Sequence, residues 1–206
     1  MAGTETTLGT AARAADFPEV RWHGHWIAPD LPDFHPAAIS FNPELRPADF
    51  GRSQYRREFE LATVPSRVPA RLTADSRYVF WVNGREVGRG PIRSQPRRLR
   101  YDKYDLAPYL GVGINSVAVL VTYYGAANSF WQPAVAAGVM GRDALLVFEA
   151  RLGEDDWLVS DESWSVTRAT AWGSAPHGEL DGVPVELLDA RELDPRWTAA
   201  GYDTAG

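Results

Sequence analysis

The chain of 206 residues contains no cysteine. Disulfides, thiolate zinc ligands and thiol catalysis are therefore excluded. Export is not excluded, but its commonest mark is missing. Lysine is almost absent too. Lys103 is the only one, and the other fixed cations are arginines, a skew that reflects genome composition more than function. Positive charge is not in excess: the formal net charge is −6, which argues against general nucleic-acid binding. No apolar run approaches the roughly 20 residues that span a bilayer. The first 20 residues lack the basic start and apolar core of a signal peptide. They read as a disordered tail, and a cytoplasmic location is the expectation. Helical periodicity is hard to find anywhere.

What is present is aromatic and β-branched. Aromatic residues make up 12% of the chain, with eight each of Trp, Tyr and Phe. They favour strands and also suit surfaces that stack on sugars. Tyr78, Phe80 and Val82 alternate with Val79 and Trp81, so this strand carries apolar groups on both faces. Asn83-Gly84 follows, the pair that best tolerates the two positive φ angles of a type I′ turn. From Tyr55 to Leu61, Tyr55, Arg57, Phe59 and Leu61 share one face, and Arg56, Glu58 and Glu60 the other. Ser116–Tyr124 and Ala144–Leu152 read as central buried strands. Trp22–Ala28 reads as a short strand, and Trp157–Ser160 with Trp164–Thr167 as a last hairpin. Many short strands with turns between them predict an all-β antiparallel sandwich or jelly roll. The expected layout is a tail over 1–20, a sandwich over 21–170, and over 171–206 a linker and the start of a truncated following domain.

Candidate chemistry is thin. His23 and His25, two apart on a strand, can start a metal site, but no third ligand is evident; the alternative is a pair of polar positions on a partly exposed strand. Nothing matches a nucleophile elbow. Gly84, Gly88 and Gly90 match neither phosphate-binding spacing and read as turn and bulge glycines. The arginine-rich stretch with Arg89, Arg93, Arg97, Arg98, Arg100 and Lys103 suits an anionic ligand or an acidic partner domain, or is a solvated loop. Glycoside hydrolysis needs two carboxyl groups about 5 to 10 Å apart; Asp75, Asp102 and Asp105 are the residues that would have to converge. Asp75 equally suits a turn-stabilising role. The segment after the most apolar strand offers Tyr123, Tyr124 and Trp131 as stacking rings and Asn128 as a partner for hydroxyls; the alternative is that such rings cap the sandwich.

At these residues the chain resembles a known family. R-x-F-x-L (Arg57–Leu61), T-A-D-S-R-Y (Thr73–Tyr78), V-N-G (Val82–Gly84), Y-D-x-Y-D-L (Tyr101–Leu106) and G-x-N-x-V-A-V (Gly113–Val119) look like the galactose-binding-like jelly roll of glycoside hydrolases. G-R-G-P-I-R-S (Gly88–Ser94), E-L-L-D-A-R (Glu186–Arg191), Trp197 and G-Y-D (Gly201–Asp203) are similar to the N-terminal domain of alpha-L-rhamnosidases. The resemblance implies a non-catalytic accessory module. Its partner would be a helical catalytic domain further along the same polypeptide, where the family's carboxylates lie. Such a jelly roll is often structural; a carbohydrate contact is a separate hypothesis, for which Asp75, Tyr123, Tyr124, Asn128 and Trp131 are the candidates. No cofactor is expected. Jelly rolls of this kind sometimes hold a structural calcium, but no oxygen cluster points to one here. Nucleic acid and membrane are not expected partners. The competing reading is a stand-alone small hydrolase that uses paired carboxylates.

Overall fold

The computed structural model describes residues 21–29, 51–92, 100–123, 144–175 and 185–202. Among them are strands β1 (Gly51–Leu61), β2 (Pro69–Ala74), β3 (Arg77–Val82), β4 (Arg85–Gly90), β5 (Asp102–Asp105), β6 (Gly113–Tyr123), β7 (Leu146–Arg151), β8 (Trp157–Val159), β9 (Ser165–Arg168), β10 (Trp172–Ala175) and β11 (Val185–Leu188). One sheet runs β4-β3-β6-β1-β9, the other β5-β2-β7-β8, and β10 pairs with β11. The pairings are antiparallel. This is the all-β sandwich that the strand pattern predicts.

Register explains why it closes. Phe80 lies opposite Val119, and Val119 opposite Tyr55, so one row of inward side chains crosses three strands. From the facing sheet, Leu72 and Phe148 form a pair. The Phe80 and Phe148 rings meet with centroids 5.9 Å apart. Tyr78, Phe80 and Val82 are buried while Val79 and Trp81 are half-buried, so β3 is covered more fully on its inner face. The turn after it has Asn83 at φ 50° and Gly84 at φ 75°, as a type I′ hairpin requires. The Asn83 side chain then does more. Its Nδ2 donates to Tyr109 O at 2.9 Å and to Asn115 Oδ1 at 2.8 Å, and its Oδ1 accepts from Ser116 N at 2.8 Å. Asn115 in turn donates to Gly111 O and Gly113 O. The V-N-G and G-x-N phrases are thus two halves of one knot that ties the hairpin tip to the turn before β6.

Two expectations need correction. Trp157–Ser160 and Trp164–Thr167 do not form a hairpin: β8 pairs with β7, and β9 pairs with β1 in the other sheet. The cause is Trp164. Its indole is buried beside Phe148, centroids 5.5 Å apart, and donates to Val159 O at 2.8 Å, so the chain crosses from sheet to sheet around it. Residues 22–28 are not a regular strand either; only Ile27 and Ala28 are in isolated bridges, Ile27 with Leu146. They are held by other bonds, described below. The β3–β4 register shifts between Phe80, opposite Gly88, and Trp81, opposite Glu86, so a bulge adjoins Gly88 as expected, and the neighbours of Gly88 and Gly90 add a second constraint. A Cβ at Gly88 would come within 2.7 Å of the Tyr104 ring, and one at Gly90 would collide with Asp102 and come within 2.7 Å of Tyr78 Oη.

Within the stretch expected as a linker and the start of a following domain, the described residues 197–202 pack on the sandwich. Trp197 is buried with Ala118, Leu120 and Ala169 on the outer face of the five-stranded sheet, and Trp81 meets its ring edge-on at 5.6 Å. Arg56 donates to Trp197 O at 2.9 Å and to Ala199 O at 2.8 Å. Ser116 Oγ and Gly84 N both donate to Thr198 O at 2.9 Å.

Candidate functional site

The acidic candidates are placed by β2 and its neighbours. Asp75 follows β2 in the tight turn into β3. Its N–H donates to Leu145 O at 2.9 Å, and its Oδ1 accepts from Ser76 Oγ at 3.2 Å. Oδ2 is buried without a hydrogen-bond partner among the described residues. Burial disfavours the charged form, and it pushes the carboxyl up to about 7; the Ser76 bond opposes this only in part. Asp75 therefore holds its proton far above the usual carboxylate range.

Asp102 lies opposite Leu72 on the edge strand of the four-stranded sheet. Its Oδ2 accepts from Tyr78 O–H at 2.5 Å across the gap between the sheets, and Tyr78 Oη lies 2.8 Å from Tyr104 Oη. Burial raises the Asp102 carboxyl, opposed by the Tyr78 bond and by Arg77. Burial also drives both tyrosines well above their ordinary range. The three groups make a latch between β3 and β5 at the side where each sheet has an edge strand. Asp105 has a plainer task. Its Oδ1 accepts from Val68 N at 2.9 Å and Ala107 N at 3.1 Å, fixing the turn after β5.

These acids do not converge. Asp105 is opposite Pro69, at the start of β2, whereas Asp75 follows its end. Six residues of extended chain separate those rows, roughly 20 Å at ~3.3 Å per residue. Asp102 and Asp105 are three apart on one strand, so their side chains leave opposite faces. Asp105 therefore shares neither the separation nor the face that glycoside hydrolysis needs with Asp75 and Asp102 respectively, and Asp102 is itself engaged by Tyr78.

Of the residues expected to touch carbohydrate, Asp75 and Tyr123 are described, and both are buried at 1% exposure. Tyr123 belongs to the hydrophobic core rather than offering an exposed ring. Tyr124, Asn128 and Trp131 lie outside the described residues, as do Arg93, Arg97 and Arg98. The described end of the sandwich is nonetheless coherent. Thr122 at the end of β6 pairs with Arg77 at the start of β3 and with Arg52 on β1, next to the Asp75 turn.

His23 and His25 do not form the start of a metal site with other described residues, among which no group of three ligating side chains occurs. His23 stacks on Trp157, centroids 4.0 Å apart. Its backbone N–H donates to Glu149 Oε2 at 2.6 Å. Glu149 Oε1 accepts from Arg71 Nε at 2.6 Å, and both side chains are sealed from solvent. Arg71 also donates to Arg21 O and sits under the Trp22 ring, 4.4 Å from its centroid. His25 N donates to Ser160 O at 2.7 Å, and Ser160 Oγ donates to His25 O at 2.6 Å. Residues 21–25 are therefore a strap across the outer face of the four-stranded sheet. Sequence reasoning missed this ion pair. Its signal was a charge inside each of two mostly apolar strands, Arg71 in β2 and Glu149 in β7.

The geometry defines an all-β antiparallel sandwich. Residues 65–206 match the family model described as the alpha-L-rhamnosidase N-terminal domain. The chain belongs to that family. No curated protein sequence matches it. Among solved structures, it is similar to a GH78 family rhamnosidase of Bacillus sp. GL1, at 30% identity and TM-score 0.68, over 88% of this chain and 17% of that one. An alpha-L-rhamnosidase of Streptomyces avermitilis, solved with L-rhamnose, is 26% identical with TM-score 0.56, over 77% of this chain and 16% of that one. The native enzyme of Aspergillus terreus shares the fold at 21% identity and TM-score 0.63, over 90% and 20%. The chain thus spans about a fifth or less of the rhamnosidases it matches.

Proposed function

We propose that this domain is a non-catalytic accessory module of an alpha-L-rhamnosidase-like enzyme, where it supports a catalytic domain carried by the same polypeptide. The observation that supports this most is the dispersal of its acids. Asp75 is buried with its carboxyl pushed up to about 7, Asp102 accepts from Tyr78, and Asp105 caps a turn, so each acid is engaged within the fold. The similarity of the chain to a minor part of much longer rhamnosidases agrees with this reading. A carbohydrate contact belongs to the segment after β6, where Tyr124, Asn128 and Trp131 provide two rings and an amide. The domain works without a cofactor.

In the parent enzyme, Asp75→Asn, Asp102→Asn and Asp105→Asn should each leave kcat on a nitrophenyl rhamnoside within about twofold, since none of these groups meets the reacting bond. A hundredfold fall in kcat for any one of them, with the fold intact, overturns the non-catalytic reading. The sugar contact is tested by calorimetric titration of the 206-residue chain with rhamnose and rhamnosides. A saturable heat that Trp131→Ala abolishes supports it, and no heat at high millimolar sugar removes it.

A further inference from the structure

Two arginines on the outward side of β1 bind the chain that follows β9. Arg52 Nε donates to Thr122 Oγ1 at 2.9 Å, its Nη2 pairs with Glu186 on β11, and its guanidinium lies 5.3 Å from the centroid of the Trp172 ring on β10. Four residues along the same face, Arg56 is buried. Its Nε donates to Trp197 O, and its Nη2 to Ala199 O and to Glu58 Oε1. The Tyr202 ring centroid lies 5.6 Å from the Arg56 guanidinium. Thr198 O accepts from both Ser116 Oγ and Gly84 N, and Gly201 N donates to Glu58 Oε1 at 2.5 Å. The segment also enters in a fixed way, since the Asp194 side chain accepts from Arg196 N and opens the short turn Pro195–Thr198.

Domains joined by a plain linker move relative to one another by default. This segment is built differently. Trp197, Thr198, Ala199, Gly201 and Tyr202 are each held by the sheet, and the Trp197 indole is buried on it. Lifting the segment off would take two carbonyl acceptors from a buried guanidinium and return the indole to water, and an uncompensated buried charge is costly. A chain anchored at successive residues cannot pivot about any one of them. We infer that Asp194–Tyr202, gripped by Arg56, is a rigid strut that fixes the direction in which the polypeptide leaves the sandwich, and with it the orientation of the catalytic domain in the parent protein. This rests on the accessory-module reading and says how that module gives its support. Arg56 is then a positioning residue, remote from the reacting bond, and pivoting between the domains is confined to residues after Tyr202.

Distances between two spin labels in the full parent protein test it, one at Glu154→Cys in the exposed β7–β8 turn and one on the catalytic domain. The native background should give a single, narrow distance distribution. Arg56→Gln should broaden it about twofold or more, because the strut then loses its grip. Since Arg56 is buried, a second variant keeps the test open if the first does not fold. Glu58→Ala with Tyr202→Ala frees Gly201 and removes the ring over the guanidinium, leaves Arg56 bonded to the two carbonyls, and should also broaden the distribution while the sandwich stays folded. A broad distribution in the native background overturns the inference. A narrow one that neither variant widens overturns it too, because some other contact would then set the orientation. None of these outcomes touches the kcat test of the accessory reading, so the two can fail separately.

Discussion

Replacing Asp75 by Asn should change how the stability of the domain depends on pH. The buried carboxyl titrates at about 7 in the folded chain, against 3.8 for an ordinary aspartate. About three pKa units at 1.36 kcal/mol each correspond to ~4 kcal/mol. The sign follows from proton binding. Between pH 4 and pH 7 the unfolded chain has lost this proton while the folded chain keeps it, so stability falls as pH rises. The contribution is fully present below the unfolded pKa and is lost as pH passes through the folded one. Above pH 7 the folded domain holds an ionised carboxylate with one buried oxygen unpartnered, and its cost is complete. Asn is close in shape and cannot ionise. Urea unfolding of both proteins from pH 4 to pH 8 provides the assay. The stability of Asp75→Asn relative to the native chain should rise by up to ~4 kcal/mol across that range. A difference constant to within about 1 kcal/mol would show that Asp75 is not buried as described, and the reasoning would fail.

Three further perturbations probe the rest of the fold. Glu149→Ala strands the Arg71 guanidinium and two strap N–H groups, and should cost about 3–5 kcal/mol in urea unfolding; Arg71→Met with Glu149→Leu should recover most of it. A single-variant cost below ~1 kcal/mol would mean that the pair is not sealed. Asn115→Ala removes both the donor bonds to Gly111 and Gly113 and the acceptor for Asn83, and should cost ~2–3 kcal/mol by thermal unfolding. Trp197→Ala should cost about 3–5 kcal/mol and expose the Ala118–Leu120 face to exchange; unchanged exchange there would contradict the docking of this segment.

Much of the fold was legible because β structure writes itself in period two. The alternation in Tyr78–Val82 and in Tyr55–Leu61 gave the inner faces directly, and Asn83-Gly84 gave the hairpin. What alternation cannot give is the partner of a strand. Trp157–Ser160 and Trp164–Thr167 look like neighbours in sequence, but burying the Trp164 indole between the layers sends them to different sheets. The same limit hid the strap, since residues 21–25 are held by a buried ion pair and by Ser160 rather than by a ladder. The site was less legible. An aspartate at a turn reads alike whether solvated or buried, and only the packing around Asp75 separates the two. Tyr78, Asp102 and Tyr104 could have been found: Asp102 and Tyr104, two apart on β5, share the inward face that Tyr78 enters from the other sheet. The bulge beside Gly88 was legible, but the close approach of side chains to Gly88 and Gly90 is hidden until their neighbours are known.

The central claim is that these residues scaffold and do not react. Prolonged incubation of the 206-residue chain with a nitrophenyl alpha-L-rhamnoside is its most direct test. The account predicts release of nitrophenol no faster than in buffer alone. Turnover that scales with the concentration of the chain, and that a single Asp→Asn change removes, would contradict it.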